Sequence, residues 1–363
     1  MRLLFALPGF HKYERGAEIA LLSVATELAK IGEDVTVIGS GRARPDDPYK
    51  FIHAGSINRE YFEKFPFMPV FRSETVYEEA TFAAGLMRRY RPTDFDAVLT
   101  CSFPFTNMIL RRPVLNGTKP LNIFVTQNGE WPATSNDAEY RFFSCDGLVC
   151  TNPDYYETNK KRWNCALIPN GISIDRFKIG AGDRANLGFP SNRKVVLMVS
   201  ALIPTKRVMD GIRAVAPMND THLVVAGDGP MREEVKALAA ELLPERFTQL
   251  TVTPDQMPTL YQSADVFLHM SLLESFGNVF PEAMACGLPI VGHDTPRLRW
   301  IVGDEEFLVD TQNIPAVTEA LTHALAARES APAKVSERAA SFAWTNIARQ
   351  YQEYLTGLMR DQA

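Results

Sequence analysis

Two glutamates could together bind a ligand that carries several hydroxyl groups. Glu274 and Glu282 lie in ESFGNVFPEAMACG, residues 274 to 287, a stretch that begins like a loop and ends like a helix. Because Glu274 precedes the expected helix start, the two carboxylates cannot form a pair on one helical face. A shared ligand is one explanation. The other is an acidic residue that favours the helix dipole, together with an unrelated surface glutamate.

The residues between these glutamates could bind a phosphate. The segment SFGN supplies a glycine and successive backbone amides just before a helix whose first turn contains Pro281. Backbone amides at the positive end of a helix favour an anion. In that arrangement Glu282 could accept hydrogen bonds from both hydroxyls of a ribose, and Glu274 could reach the group attached beyond the phosphates.

A second pair of charged residues follows the first strand expected in the second half. Lys206 and Arg207 lie within SALIPTKRVMDGIRAV, residues 200 to 215. Two cations there could neutralise a pyrophosphate and stabilise negative charge on a leaving phosphate. An exposed basic pair at a helix start interacts unfavourably with the helix dipole. Its presence there therefore favours a functional role. The nearby AGDGP, residues 226 to 230, lacks the third glycine of a dinucleotide fingerprint, so we expect a tight turn.

Two loops of the first half follow expected strands and could contribute to the same site. PGFHKYERGAE, residues 8 to 18, places Gly16 where a helix begins. VTQNGEWP, residues 125 to 132, brings Gln127, Asn128 and Glu130 to the same edge of the sheet. An acceptor subsite and an ordinary Asn-Gly turn are both consistent with the second loop.

Short apolar strands alternate with amphipathic helices along the whole chain, in two successive series. One helix is expected from residue 17 until Gly32. Near-continuous apolar strands joined by helices indicate parallel sheets buried on both faces, so we expect two doubly wound α/β domains with ligands in the crevice between them. The expected strands cover residues 2 to 7, 34 to 40, 95 to 100, 121 to 126, 146 to 151 and 165 to 170, then 194 to 200, 221 to 227, 247 to 252, 264 to 270 and 288 to 293.

Composition excludes several classes of protein. With 363 residues, the chain is longer than one ordinary domain, so two domains are expected. A content of 46% hydrophobic and 22% charged residues is typical of a globular protein. With a formal net charge of −5 and no basic half, a nucleic-acid partner is not expected. The five cysteines form no CxxC pair, and the first apolar run is shorter than that of a signal peptide, so we expect a cytoplasmic protein. No apolar stretch is long enough to span a membrane, so any membrane contact would be peripheral.

The chain resembles the family 4 (GT4) retaining glycosyltransferases, which have the GT-B fold of two Rossmann-like, doubly wound parallel-sheet domains facing a central cleft. The resemblance covers nearly the whole chain, with motifs in the family's order. It implies an N-terminal acceptor-binding domain over residues 1 to 175, a linker at 176 to 193, a nucleotide-sugar-binding domain over 194 to 343, and a final helix at 344 to 363 that crosses back to the first domain. The motifs are Glu274 and Glu282 within ESFGNVFPEAMACGLPIV, IPNGISIDRF at 168 to 177, LIPTKRVMDGI at 202 to 212, AGDGP, and SFAWTNIARQYQEYL at 341 to 355.

The resemblance also implies the reaction and the site. It implies a hexosyltransferase that moves a hexose-type sugar, with retention, from a nucleoside-diphosphate sugar to a glycan, lipid-linked or small-molecule acceptor. UDP or GDP is the expected nucleotide, and no metal or cofactor is expected. Glu282 would contact the ribose, Glu274 the donor sugar and Lys206 the pyrophosphate, which Gly16 would approach from the other domain. The expected catalytic residues are Glu274, Lys206 and Arg207, and the donor site would also contain Ser275, Phe276, Gly277, Asn278 and Val279.

The sequence departs from the family pattern at two places. The arginine usual before the lysine is replaced by Ala201, so Arg207 is the expected substitute. The histidine often found after the strand at 121 to 126 is replaced by Gln127 or Asn128. An amide cannot act as a general base at neutral pH. The resemblance to the family implies front-side transfer, in which the leaving phosphate takes the proton of the acceptor.

Two other classes of protein share the expected architecture. A non-hydrolysing nucleotide-sugar epimerase also has two such domains and would produce a new sugar epimer without an acceptor. A bilobal solute-binding protein has two α/β lobes around a cleft, but it would need an export signal, which the sequence does not indicate. An inactive homologue is a third alternative, because of Ala201 and the missing histidine.

Overall fold

The computed structural model describes residues 1 to 66, 68, 70 to 115, 117 to 127, 141 to 304, 306 to 327 and 332 to 361. The chain forms two compact units. Unit 1 comprises Met1–Gly171 together with Trp344–Ala363, and unit 2 comprises Ile172–Ala343. Each unit is an α/β structure with a parallel sheet at its centre.

A parallel sheet of seven strands forms the centre of unit 1. Its strands are β1 (Arg2–Ala6), β2 (Asp34–Gly39), β3 (Lys50–His53), β4 (Ala97–Thr100), β5 (Leu121–Thr126), β6 (Gly147–Cys150) and β7 (Cys165–Leu167). They are ordered β3-β2-β1-β4-β5-β6-β7, so β1 lies in the interior and β3 at one edge. The interior strands β1, β4, β5 and β6 are almost wholly buried, as strands covered by helices on both faces must be.

Helices α1 (Gly16–Lys30), α2 (Glu74–Arg89), α3 (Phe105–Leu110) and α4 (Pro153–Asn159) connect these strands. Helix α1 shows why the sequence specifies them. Its buried residues Leu21, Val24 and Leu28 recur at helical spacing and pack with β1 and β2 in one core. The helix ends before Gly32, whose positive φ of 99° favours glycine, close to the predicted end.

A six-stranded parallel sheet forms the centre of unit 2. Its strands are β8 (Lys194–Val199), β9 (Thr221–Ala226), β10 (Phe247–Leu250), β11 (Val266–His269), β12 (Ile290–His293) and β13 (Phe307–Val309). The order β10-β9-β8-β11-β12-β13 places β8 beside β11 in the interior of the sheet. The chain runs from β8 to β9 and β10 on one side, and then returns to β11 on the other side of β8. The loops after β8 and β11 therefore emerge next to each other.

The helices of unit 2 cover both faces of this sheet, as its two separate apolar cores show. They are α5 (Val208–Val215), α6 (Arg232–Leu242), α7 (Met257–Gln262), α8 (Val279–Ala285), α9 (Pro296–Val302), α10 (Ile314–Ala327) and α11 (Pro332–Ala340). Within the described ranges, no helix has the length and apolar character that a bilayer span requires.

The last helix, α12 (Trp344–Arg360), belongs to unit 1. Its buried residues Ile347, Tyr351 and Leu355 join the same core as α1 and the central strands. The hydroxyl of Tyr354 donates to the Asn164 backbone oxygen at 2.6 Å, which ties the helix to the segment before β7. Unit 2 is therefore a continuous segment inserted between β7 and α12.

Candidate active site

Three ionisable side chains of unit 2 meet at the carboxyl ends of strands β8 and β11. Lys206 ends a short 3₁₀ turn in the loop after β8, His269 is the last residue of β11, and Glu274 lies in the loop that follows. Nε2 of His269 lies 2.8 Å from Oε1 of Glu274, and the ammonium of Lys206 forms an ion pair with the same oxygen. The adjacency of the two strands brings Lys206 and Glu274 together although they are far apart in sequence.

Two glycines after β9 hold the loop that carries Lys206. A Cβ on Gly227 would lie 1.9 Å from the Ser200 oxygen, and one on Gly229 would lie 2.5 Å from the Leu202 oxygen. The Leu202 amide donates to the Asp228 oxygen at 2.9 Å, which fixes the two loops against each other. Only glycine allows this approach of two backbones, so AGDGP is a tight turn that supports the lysine loop.

The Glu274 carboxyl is held in its ionised form. Burial opposes its ionisation, but hydrogen bonds from His269 and Lys206, and the electrostatic attraction of both groups, outweigh this effect and lower its pKa to about 2. At neutral pH this carboxylate is therefore charged and has no proton to donate. Arg297, which is itself buried, donates to the backbone oxygen of Glu274 and so fixes the main chain of the loop.

Glu282 has the opposite electrostatic character. It lies in the first turn of α8 beside the buried Tyr261, whose hydroxyl donates to Oε2 at 2.9 Å. Burial outweighs the hydrogen bond from Tyr261 and the charge of Arg176, and raises the pKa of Glu282 to about 7. Oε1 of Glu282 accepts no hydrogen bond from any side chain in the described part of the chain. The carboxyl therefore has a free acceptor atom and a charge that changes near neutral pH.

Arg207 is engaged within the lysine loop and its surroundings. Its backbone has a φ of 52°, in the left-handed region that residues other than glycine rarely adopt. Nε donates to Asp210 at 2.9 Å, and the two terminal nitrogens donate to the Thr311 hydroxyl and backbone oxygen, to the Met270 oxygen and to Asp210. All five N–H groups thus have protein partners. The expected contact of Arg207 with a phosphate would require it to give up some of these bonds.

The residues predicted to contact phosphate and sugar precede and begin α8. Gly277 has a φ of 78°, and a Cβ there would lie 2.7 Å from the Phe280 ring, so this position requires glycine. Phe276 is 2% exposed and packs edge-on against Trp300 and Phe342, so its ring belongs to the apolar core of unit 2. The other predicted members of this segment are partly buried, namely Ser275, Asn278 and Val279.

The remaining predicted site residues belong to unit 1. Gly16 begins α1 and is exposed, and a Cβ at this position would meet no described atom within 4 Å. The packing of unit 1 therefore does not require glycine there. Gln127 follows β5 and exchanges side-chain hydrogen bonds with Asn170 at 3.0 and 3.2 Å. Asn128 and Glu130 lie outside the described residues.

His269 and Tyr261 are site residues that the sequence analysis missed. His269 is 4% exposed and Tyr261 is fully buried. A histidine at the end of an otherwise apolar strand, ADVFLHM, is a signal that could have identified the first. Tyr261 carries no comparable signal, because its contact with Glu282 depends on how α7 packs against α8.

Comparison with known proteins places the chain among sugar-transferring enzymes. The family model described as glycosyl transferases group 1 matches residues 181 to 342. A D-inositol 3-phosphate glycosyltransferase from Mycobacterium bovis (strain BCG / Pasteur 1173P2) is 31% identical to this chain, over 91% of the chain and 76% of that relative. The match to the relative extends across both units.

Solved structures share the fold. Sucrose-phosphate synthase from Thermosynechococcus elongatus has a TM-score of 0.78 at 20% identity, and the match covers 99% of both chains. HepE from Anabaena, solved in complex with UDP and glucose, has a TM-score of 0.69 at 20% identity, covering 98% of this chain and 99% of its own. The prediction of a GT-B fold, with two parallel-sheet α/β domains, is confirmed.

Proposed function

The chain belongs to the group 1 glycosyl transferases, and from this premise we propose that it is a retaining family 4 enzyme. It transfers a hexose-type sugar from a nucleoside-diphosphate sugar, with UDP or GDP as the nucleotide, to an acceptor hydroxyl. The acceptor is a glycan, a lipid-linked molecule or a small molecule, and transfer needs no bound metal or cofactor. The enzyme acts in the cytoplasm, with at most peripheral membrane contact.

The observation that supports this proposal best is the convergence of Lys206, His269 and Glu274 at one edge of the sheet of unit 2. The carboxyl edge of a parallel sheet is where ligands of such folds bind. A nucleoside-diphosphate sugar needs a cation for its phosphates and hydrogen-bond acceptors for its hydroxyls. The cluster supplies the first through Lys206 and the second through Glu274, and Glu282 adds another acceptor on α8.

Glu282 suits the ribose of the donor. Tyr261 fixes one oxygen of the carboxylate, and the other is free to accept hydrogen bonds from the two ribose hydroxyls. Hydrogen bonds to the charged form favour ionisation, so ribose binding would lower the raised pKa of Glu282. Nucleotide binding should therefore be tighter above pH 7 than below it.

Lys206 and Glu274 suit the pyrophosphate and the sugar. The bond between the anomeric carbon and the leaving phosphate oxygen breaks, and a bond to the acceptor oxygen forms on the same face of the sugar. Positive charge develops on the sugar and negative charge on the leaving nucleoside diphosphate. The Glu274 carboxylate, ionised because its pKa is about 2, stabilises the first, and the Lys206 ammonium stabilises the second.

The proton of the acceptor hydroxyl passes to the leaving phosphate oxygen. Glu274 is a weak base, since its pKa is about 2. Gln127 is an amide, paired with Asn170, and cannot accept a proton at neutral pH. Transfer of the proton to the departing phosphate balances the reaction without a separate base.

Calorimetry and NMR test the proposal in sequence. Titration of the full-length protein with UDP, GDP, ADP and TDP identifies the nucleotide, and we expect binding of UDP or GDP that EDTA does not change. NMR of the corresponding donor sugars with an acceptor panel should show a product with the anomeric configuration of the donor. The absence of binding to any nucleoside diphosphate would refute the proposal. A new sugar epimer formed without acceptor would favour an epimerase instead.

A further inference from the structure

We propose that His269 is a positioning residue that keeps the Glu274 carboxylate in place when the donor occupies the site. This inference rests on the proposed function, because it assigns His269 a part in the same transfer reaction. His269 does not itself touch the donor in this proposal. It acts through Glu274.

The ring of His269 is held rigidly. It lies at the end of β11 and is 4% exposed. The Phe267 ring is stacked on one face, with 6.2 Å between the ring centroids. The Phe280 ring has its centroid 4.9 Å away and an interplanar angle of 73°. These two aromatic rings, one from the same strand and one from α8, determine the ring plane of His269. Nε2 is thereby directed at Glu274 Oε1, 2.8 Å away.

The two residues just before Glu274 have little packing of their own. Leu272 and Leu273, which precede Glu274, are 36% and 75% exposed. The backbone of Glu274 is held by Arg297, but its side chain is held only by His269 and Lys206 among the described residues. Both donate to Oε1, which leaves Oε2 available for a ligand.

When a nucleoside-diphosphate sugar binds, only one of these two side chains can stay hydrogen-bonded to Glu274. A pyrophosphate carries more negative charge than one carboxylate and should attract the flexible ammonium of Lys206 away from Glu274. His269 cannot follow, because its ring is buried in the sheet. In the loaded site His269 is then the remaining support of the carboxylate, which must stay within a fraction of an ångström of its productive position.

Substitution of His269 tests this role through turnover. His269→Leu should lower kcat on the order of tenfold or more, because a misplaced Glu274 carboxylate stabilises the transition state less well. Nucleotide affinity should be unchanged. His269→Gln should restore most of the loss, since its amide can donate from nearly the position of Nε2. His222→Leu is the matched control: His222 is 6% exposed in β9 of the same unit and bonds to the Thr248 hydroxyl at 2.8 Å. It should lower stability without changing kcat.

A double-mutant cycle separates positioning from general stability. If His269 acts through Glu274, then His269→Leu should change kcat less than twofold when Glu274→Ala is already present. Equal losses in both backgrounds would overturn the proposal. A loss of nucleotide affinity that matches the loss of kcat would also overturn it, since the site as a whole would then be disturbed.

Spectroscopy distinguishes failure of this inference from failure of the proposed function. A wild-type protein that binds a nucleoside diphosphate but transfers no sugar refutes the proposed function. The bond between His269 and Glu274 is still measurable then, from the ¹⁵N NMR signals of the His269 ring with UDP or GDP bound. We expect these signals to differ between wild type and Glu274→Ala. Identical signals would show that His269 does not hold Glu274 in the loaded site.

Discussion

Replacement of Glu282 by glutamine should stabilise unit 2 and weaken nucleotide binding at the same time. Glutamine keeps the size of the side chain and can still accept the hydrogen bond from Tyr261. It removes the buried carboxylate charge and replaces one acceptor oxygen by a donor, which suits ribose hydroxyls less well. Stability and binding therefore change in opposite directions, which general misfolding cannot produce.

The size of the stability effect follows from the pKa. Burial raises the pKa of Glu282 from 4.5 to about 7, so the folded chain holds this proton more tightly than the unfolded chain. The stability that the protonated carboxyl contributes is complete below about pH 4.5 and is lost as the pH rises through about 7. At about 1.4 kcal/mol for each pH unit, the loss is about 3 kcal/mol. Glutamine does not titrate, so the variant escapes this loss.

Thermal denaturation at pH 5 and pH 8 measures the effect. A domain of this size shifts its Tm by about 2 to 4 °C for each kcal/mol. Relative to wild type, Glu282→Gln should therefore gain roughly 5 to 10 °C more at pH 8 than at pH 5. The reasoning is refuted if the difference from wild type is the same at both pH values.

Glu79→Gln provides the matched control. Glu79 is buried in unit 1, accepts from the Thr106 amide at 2.8 Å, and burial raises its pKa to about 7 as well. This variant should show the same kind of pH-dependent gain in stability without any change in nucleotide affinity.

Calorimetry measures the effect of Glu282→Gln on nucleotide affinity. An unchanged affinity would show that Glu282 does not contact the ribose.

Three further predictions concern individual residues that the sequence analysis assigned to the donor site. Lys206→Ala should lower kcat on the order of a hundredfold, as loss of one preorganised charge-stabilising donor does, and steady-state kinetics with little change would contradict its role at the pyrophosphate. Arg207→Gly should be more stable than Arg207→Ala by about 1 kcal/mol, because the left-handed backbone favours glycine, and equal Tm values would show that the backbone carries no strain. Gly16→Ala should fold normally but bind the nucleotide sugar less tightly in calorimetry, whereas Gly357→Ala, which also meets no atom within 4 Å, should bind it like wild type.

The interior of both sheets was predictable from the sequence, and two edge strands were not. Runs such as RLLFAL and KVVLMVS correspond to β1 and β8, because strands buried on both faces need apolar residues throughout. β3 and β13 were missed. Each lies at the edge of its sheet and has only three or four residues, a run too short to show the periodicity of a strand.

The sequence indicated Lys206, Glu274 and Glu282 as candidate site residues but not how their charges are set. Glu274 and Glu282 have the same side chain, yet their pKa values lie near 2 and near 7. The difference arises from Lys206 and His269 at one carboxyl and from burial against Tyr261 at the other. Arg207 donates hydrogen bonds to two oxygen atoms of Thr311, a residue 104 positions away in the sequence. Such contacts depend on strand order and helix packing, which spacing in one sequence does not reveal.

The two ends of unit 2 lie side by side. Ile172, where the chain enters, donates its amide to the Phe342 oxygen at 2.8 Å and forms a parallel bridge with Ala343, where the chain leaves. A segment whose ends are adjacent can be exchanged for another of different length without stretching the host. Recombination at residues 172 and 343 could thus replace the whole segment that carries Lys206, Glu274 and Glu282 while α12 stays packed in unit 1. Under the proposed function, such a cassette exchange, in evolution or in a designed chimera, would replace the residues that bind the sugar donor.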